Sequence, residues 1–335
     1  MKKILSFILI LAMISAAVLT SCEITITQTT PTTTPTTTPT TPTASTTEKK
    51  EEFVYPDEVS LGLSYELNLD GESYTLIGIG EFKGTKLVIP ELHEGKPVTA
   101  IAKEAFYLNW DITEIYIPDS VTTMGDRAFC WCNNVSYIHI GAGLTYIPSG
   151  AFTAAYFVTE VEIPDTVTAM AYTAFWNCTA LETIKLGKGV TQLGADYDTY
   201  FDKMTFGGFS DFMGCTSLKN IVVDEDHPTF KTVDGSLYSK DGSTLVKYAL
   251  GKEDVTYIFP ENVTVIDKGA FYDADNISAI AIPSTVKKVS NWAFENCSSL
   301  LTVLIDKGVE EIERWVFSEC ESLLAIEVSP ENENY

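Results

Sequence analysis

Three histidines, seven cysteines and 46 carboxylate residues offer this 335-residue chain material for metal binding, nucleophilic chemistry or disulfide cross-linking. Spacing decides among these. His93, His139 and His227 stand far apart, with no helical or triad spacing between them. Asp224-Glu225-Asp226-His227 has the donor types of a metal site, yet Ser329-Pro330-Glu331-Asn332 fills the same place in a later segment without metal-ligand chemistry, so an acidic turn is expected there. Asp196, Asp198 and Asp202 lack the glycine and distal glutamate of a calcium loop. Cys130-Trp131-Cys132 is too short for a zinc knuckle and has no second ligand pair. No HExxH, GxSxG or phosphate-binding glycine loop occurs, so the sequence predicts neither a catalytic residue, a metal nor a cofactor.

One cysteine does suggest chemistry. Lys2 and Lys3 precede an apolar run from Ile4 to Val18, which is shorter than a membrane-spanning helix and closes on Leu19-Thr20-Ser21-Cys22. That is the pattern of a signal peptide over residues 1–21, and its ending resembles a bacterial lipobox. The resemblance implies that Cys22 carries diacylglycerol and becomes the first residue of the mature chain. Two acyl chains suffice for stable anchoring. Residues 22–52 are rich in Thr and Pro, with almost nothing to bury, and predict an extended stalk reaching on the order of 90 Å. The net charge of -24 argues against nucleic acid as a partner.

The remaining sequence repeats. Phe106, Phe129, Phe152 and Phe175 lie 23 residues apart, Phe212 follows an insertion, and Phe271, Phe294 and Phe317 resume the period. A fixed period in the twenties predicts a solenoid whose core exists only through stacking. Each unit carries an alternating pair such as Ile115/Ile117, Ile138/Ile140, Ile280/Ile282 or Val303/Ile305, which predicts a strand with those side chains inward. Cys132, Cys178, Cys215, Cys297 and Cys320 all fall three residues after a repeat phenylalanine, where other units have Asn109, Ala155 and Ala274. That exchange predicts a small buried corner occupied by free thiols, although stacked neighbours such as Cys297 and Cys320 leave a disulfide as an alternative.

These strand motifs, together with Leu181-Glu182-Thr183-Ile184-Lys185-Leu186 and the following Val190-Thr191-Gln192-Leu193, closely resemble the BspA-like bacterial leucine-rich repeats. The resemblance runs from Val59 to Tyr335. It implies a leucine-rich-repeat solenoid with a parallel β-sheet on one face and short helical or irregular turns on the other. It also implies a surface protein of adhesion or ligand binding. Residues 53–97 depart from the repeat and turn at Asp70-Gly71, predicting a β-hairpin N-terminal cap; the solenoid proper is placed at 98–335, with insertions at 195–208 and 234–251.

The residue between each inward pair faces outward. That column reads Tyr116, His139, Glu162, Lys185, Val222, Ile258, Ala281, Leu304 and Glu327, with a continuous apolar run from Val222 to Leu304. Exposed apolar strips mark interfaces. Tyr116, His139, Val222, Ile258 and Leu304 are therefore candidate contacts, as are Tyr197, Tyr200, Phe201 and Phe206 of the first insertion. The second insertion predicts a hairpin turning at Asp234-Gly235 or at Asp241-Gly242.

The sequence thus points to an extracytoplasmic, lipid-anchored surface protein without enzymatic activity, held to the membrane through Cys22 and binding an extracellular protein or glycan. A structural envelope spacer and a carbohydrate-binding accessory protein are the alternatives. Val328 to Tyr335 repeats the spacing of Val223 to Phe230 and stops before a hairpin, so the sequence predicts either a truncated chain or a cap donated by a partner, with self-association at that end. Replacing Cys22 with Ser should move the protein from the detergent phase to the aqueous phase of a Triton X-114 separation; a variant still retained in detergent would refute the anchor.

Overall fold

The computed structural model describes residues 53–195 and 212–335. Cys22, the stalk and the aromatic residues of the first insertion lie outside them. The described residues form a parallel β-solenoid of about ten coils without a helix.

Each coil has three sides. The first is the predicted strand: Lys86–Val88, Glu114–Tyr116 and Tyr137–His139 pair in parallel, as do Glu160–Ile163, Thr183–Leu186 and Asn220–Val222. Thr256–Tyr257, Ala279–Ile282, Thr302–Ile305 and Ala325–Val328 make the last group. Within each group the register is in phase, so Ile280, Val303 and Ile326 stand in line. The parallel stack begins at Lys86–Val88, inside the segment 53–97.

The irregular turns expected opposite the first sheet occupy the third side, and the second side is a further column of short strands. Thr123–Met124, Tyr146–Ile147, Ala169–Ala171 and Gln192–Ala195 form it in the first half, and Thr244–Lys247, Val265–Ile266, Lys288–Val289 and Glu311–Ile312 in the second. Two residues per coil are too few for an alternation to be legible. Their inward side chains, Met124, Ile147, Met170, Ile266 and Val289, are nonetheless buried.

The third side is the turn around the repeat phenylalanine. Residues two before and two after it take positive φ: Glu104 and Leu108 around Phe106, Arg127 and Trp131 around Phe129, Trp292 and Asn296 around Phe294. Left-handed backbone costs a non-glycine residue roughly 1 kcal/mol or more. The compensation is a ladder. Phe106 N–H donates to Ala128 O at 2.8 Å, Phe129 N–H to Ala151 O at 3.0 Å and Phe294 N–H to Val316 O at 2.9 Å, always toward the following coil. The rings stack beneath, with centroids 5.1 Å apart for Phe106/Phe129 and 4.7 Å for Phe271/Phe294.

Tyr248 supplies the ring that the phenylalanine series lacks between Phe212 and Phe271. It stacks on Phe271 at 5.0 Å, and its N–H donates to Ala270 O.

The six cysteines among the described residues are free, and those that follow the repeat ring by three close this third side. Cys132 Sγ donates to Phe106 O at 3.2 Å, Cys178 to Phe152 O at 3.3 Å, Cys215 to Phe175 O at 3.1 Å and Cys297 to Phe271 O at 3.1 Å. Each thiol therefore ties its coil to the preceding one. Burial pushes the pKa of the Cys132 thiol up to about 12, so it remains a neutral donor at ordinary pH.

Both proposed turns of the second insertion exist. Asp234-Gly235 reverses the chain between Phe230–Val233 and Ser236–Ser239, and Asp241-Gly242 between Ser236–Ser239 and Thr244–Lys247, giving a three-stranded antiparallel meander. At Asp234-Gly235 both residues have positive φ, the requirement of a tight type I′ hairpin. A Cβ on Gly235 would lie 2.1 Å from Lys219 O, so glycine alone fits.

Phe129→Ala removes a buried ring that stacks on both neighbours and should cost about 3–5 kcal/mol. Cys132→Ala removes one S–H···O bond and little volume, and should cost about 1 kcal/mol. Urea unfolding followed by circular dichroism orders the two; equal losses would contradict the stacking account.

Candidate functional site

The exposed face of the first side carries the outward column, and three local environments divide it. At the N-terminal end, residues 53–60 cross the strands. Tyr55 Oη lies 2.7 Å from Ile89 O and 2.8 Å from Tyr116 O, bridging adjacent coils, and Ser60 N–H donates to Val88 O. The Phe53 ring stacks on His139 at 3.6 Å, and Tyr116 has the Tyr137 ring at 5.1 Å and Lys86 Nζ 4.7 Å above it. Tyr116 and His139, expected as open contact residues, are thus half-buried beneath a strap of the same chain. The strap bears no relation to the repeat, so the register could not reveal it.

In the middle, Glu162 and Lys185 pair at 3.3 Å, and Lys185 also approaches Asp224 at 3.9 Å. Such exposed pairs contribute little, about 0–1 kcal/mol each. Their effect is to make this stretch charged and self-complementary.

The apolar run is not continuous, contrary to expectation. Val222 closes one sheet and Ile258 follows the first strand of the next, and the Asp234-Gly235 turn lies between them, with Ile221 N–H donating to Gly235 O at 2.8 Å. What remains together is Ile258, Ala281 and Leu304. Ala281 pairs in register with Leu304, and Glu327 follows to end the strip. Ile258 is 88% exposed, whereas Val222, Ala281 and Leu304 are half-buried.

Tyr197, Tyr200, Phe201 and Phe206 lie outside the described residues. Large exposed aromatics that the strand pattern did not single out do appear on the turn side: Tyr107, Trp110, Phe157, Trp176 and Trp315. They stand at differing offsets from the repeat phenylalanine, one after it for Tyr107 and Trp176 but two before it for Trp315, so no single period marks them. Trp292 and Trp315 stack at 5.4 Å in successive coils.

His227 is buried, with Nε2 3.2 Å from Gly187 O and Nδ1 accepting from Thr229 N–H and Phe230 N–H at 3.2 and 3.0 Å. Asn332 reproduces this pattern, its Nδ2 donating to Asp306 O and Val309 O while Oδ1 accepts from Asn334 N–H. Both side chains staple an acidic turn to the previous coil. Among the described residues no group of three His, Cys, Asp or Glu is placed to hold a metal.

Three-sided coils with an inward strand pair and a ring-filled turn define a leucine-rich-repeat solenoid, a scaffold typically used for binding. The chain belongs to the BspA-type leucine-rich-repeat family, whose model matches in six copies over residues 99–206, 158–240 and 243–335. The chain is similar to a leucine-rich repeat protein from Eubacterium ventriosum, at 20% identity over 81% of this chain and 71% of that one, with a TM-score of 0.57. It is also similar to the pneumococcal vaccine antigen PcpA, at 21% identity over 83% and 82%, with a TM-score of 0.55. Comparison with curated proteins gives no match.

The strap makes a pH prediction. Burial under Phe53 lowers the pKa of His139 below its ordinary 6.5, against the opposing pull of Asp119 and Glu162. The neutral ring is favoured in the folded state, so its contribution to stability is present above the unfolded value and is lost as pH falls through the folded one. Phe53→Ala should raise the His139 midpoint toward 6.5 in an NMR titration. An unchanged midpoint would show that the strap does not desolvate the ring.

Proposed function

We propose that the protein is a lipid-anchored cell-surface adhesin or ligand-binding protein that holds an extracellular protein through the outward strip Ile258, Ala281 and Leu304. The single observation that carries this reading is the exposure of Ile258, directly after the strand Thr256–Tyr257, where the next two coils continue the apolar column. Water gains nothing from that strip, and covering it returns about 25 cal/mol per Å² of apolar surface. The charged stretch around Glu162 and Lys185 and the acid Glu327 flank it, as a polar rim flanks an interface core.

Membership of a family of bacterial surface repeat proteins supports the location. Cys22 is the attachment point on this reading, and residues 22–52 hold the solenoid away from the membrane. The aromatic residues Tyr197, Tyr200, Phe201 and Phe206 belong to a segment too apolar for a solvated loop and extend the contact surface.

The test is capture from a panel of purified extracellular matrix and mucosal proteins by biolayer interferometry. Ile258→Lys combined with Leu304→Lys should weaken the recorded interaction at least about tenfold, by placing unpaired charge in the interface core. Circular dichroism and melting should stay those of the parent, because both side chains point outward. Undiminished capture by the double variant would remove the strip from the function.

A further inference from the structure

The buried side chains fall into two clusters, one ending at Leu237 and the other starting at Tyr238. The division passes between adjacent residues of one strand, Ser236–Ser239. A regular stack would have one continuous core, since each repeat ring touches the next. The antiparallel meander interrupts it. Its side chains sort by alternation: Phe230, Leu237 and Val246 pack with the first cluster, and Val233, Tyr238 and Leu245 with the second. A pleated strand sends alternate residues to opposite faces. A sheet with a separate core against each face is a partition across the solenoid.

Both strand ladders break at the same place. Asn220–Val222 does not pair with Thr256–Tyr257, and Gln192–Ala195 does not pair with Phe230–Val233. The ladders are also interrupted between Tyr137–His139 and Glu160–Ile163 and between Thr123–Met124 and Tyr146–Ile147, but one buried cluster runs through that place undivided, so among the described residues the break at the meander is the one that coincides with a divided core. Across the break the joining contacts include Ile221 N–H to Gly235 O, Gly251 N–H to Leu218 O at 2.7 Å, and Gly214 N–H to the Asp273 carboxylate at 2.9 Å.

The second half also opens as the first one does. Ser64–Leu67 and Tyr74–Gly78 form an antiparallel hairpin turning at Asp70-Gly71, and its second strand pairs in parallel with Lys96–Ile101. Ser236–Ser239 and Thr244–Lys247 repeat that plan, turning at Asp241-Gly242 before pairing in parallel with Val265–Ile266. We infer that the meander is an internal cap, and that the chain holds two capped stacks which open as separate cooperative units. Residues up to Leu237 belong to one and residues from Tyr238 to the other. The strip Ile258, Ala281 and Leu304 lies wholly on the second, while Tyr116 and His139 with their strap lie on the first.

Hydrogen exchange of the full chain, read by mass spectrometry on peptides from 114–186 and from 279–328, tests this without reference to any ligand. Leu237→Ala should accelerate exchange at least about tenfold in the first set and leave the second unchanged; Tyr238→Ala should do the reverse. Phe152→Ala and Phe294→Ala, remote from the meander, should segregate in the same way and serve if a variant at the partition does not fold. Equal acceleration of both sets by any of the four, or a single urea transition shared by all peptides, overturns the inference.

Discussion

Everything in this molecule depends on the backbone hydrogen bond from one coil to the next. A coil of 23 residues has too little interior to bury its own strand pair and ring, so its stability comes from its neighbours. Within each ladder, bonds from coil to coil fix the spacing and hold the stacked coils to one register. Once that register is set, the remaining features are consequences. Rings stack because phenylalanines recur in phase. Thiols reach a carbonyl of the preceding coil because they follow the ring by three residues. The positive φ values around the ring persist because only that alternation aims successive N–H groups along the axis, and the ladder they form offsets the strain.

The same constraint explains how much could be read from the sequence. The strand pairs and the ring period are strict because both are interior and repeated, so a solenoid of this family was legible, as was the buried place of the cysteines. The second strand column was not. It contributes one inward residue per coil, such as Met170 or Val289, and a lone apolar position carries no alternation. The left-handed turn residues were equally hidden, since Glu104, Arg127, Trp292 and Asn296 share a backbone conformation and nothing in side-chain chemistry. Tyr248 was missed because it replaces the ring by a different residue after an insertion has shifted the count.

The outward face was legible as a column of names but not as a surface. Alternation places Tyr116, His139, Val222 and Ile258 on one side of the strands correctly. It cannot report what crosses them. Tyr55 reaches a carbonyl 61 residues further along the chain, and the Asp234-Gly235 turn enters the sheet from an insertion. Both contacts are long-range and occur once, so neither leaves a periodic trace. They convert an expected row of nine equivalent positions into a covered end, a charged middle and a short apolar strip.

The strap also decides how the solenoid carries load. A pull on the chain before Phe53 does not act first on the parallel ladders. It reaches the Phe53–His139 stack and the Tyr55 hydroxyl, whose single proton lies between the carbonyls of two coils. Tension is shared between coils before any strand is peeled from its neighbour, and the first element to yield is a segment whose loss leaves the stacked rings in place. Residues 53–55 are thus the contacts that lie between the start of the described chain and its stacked coils.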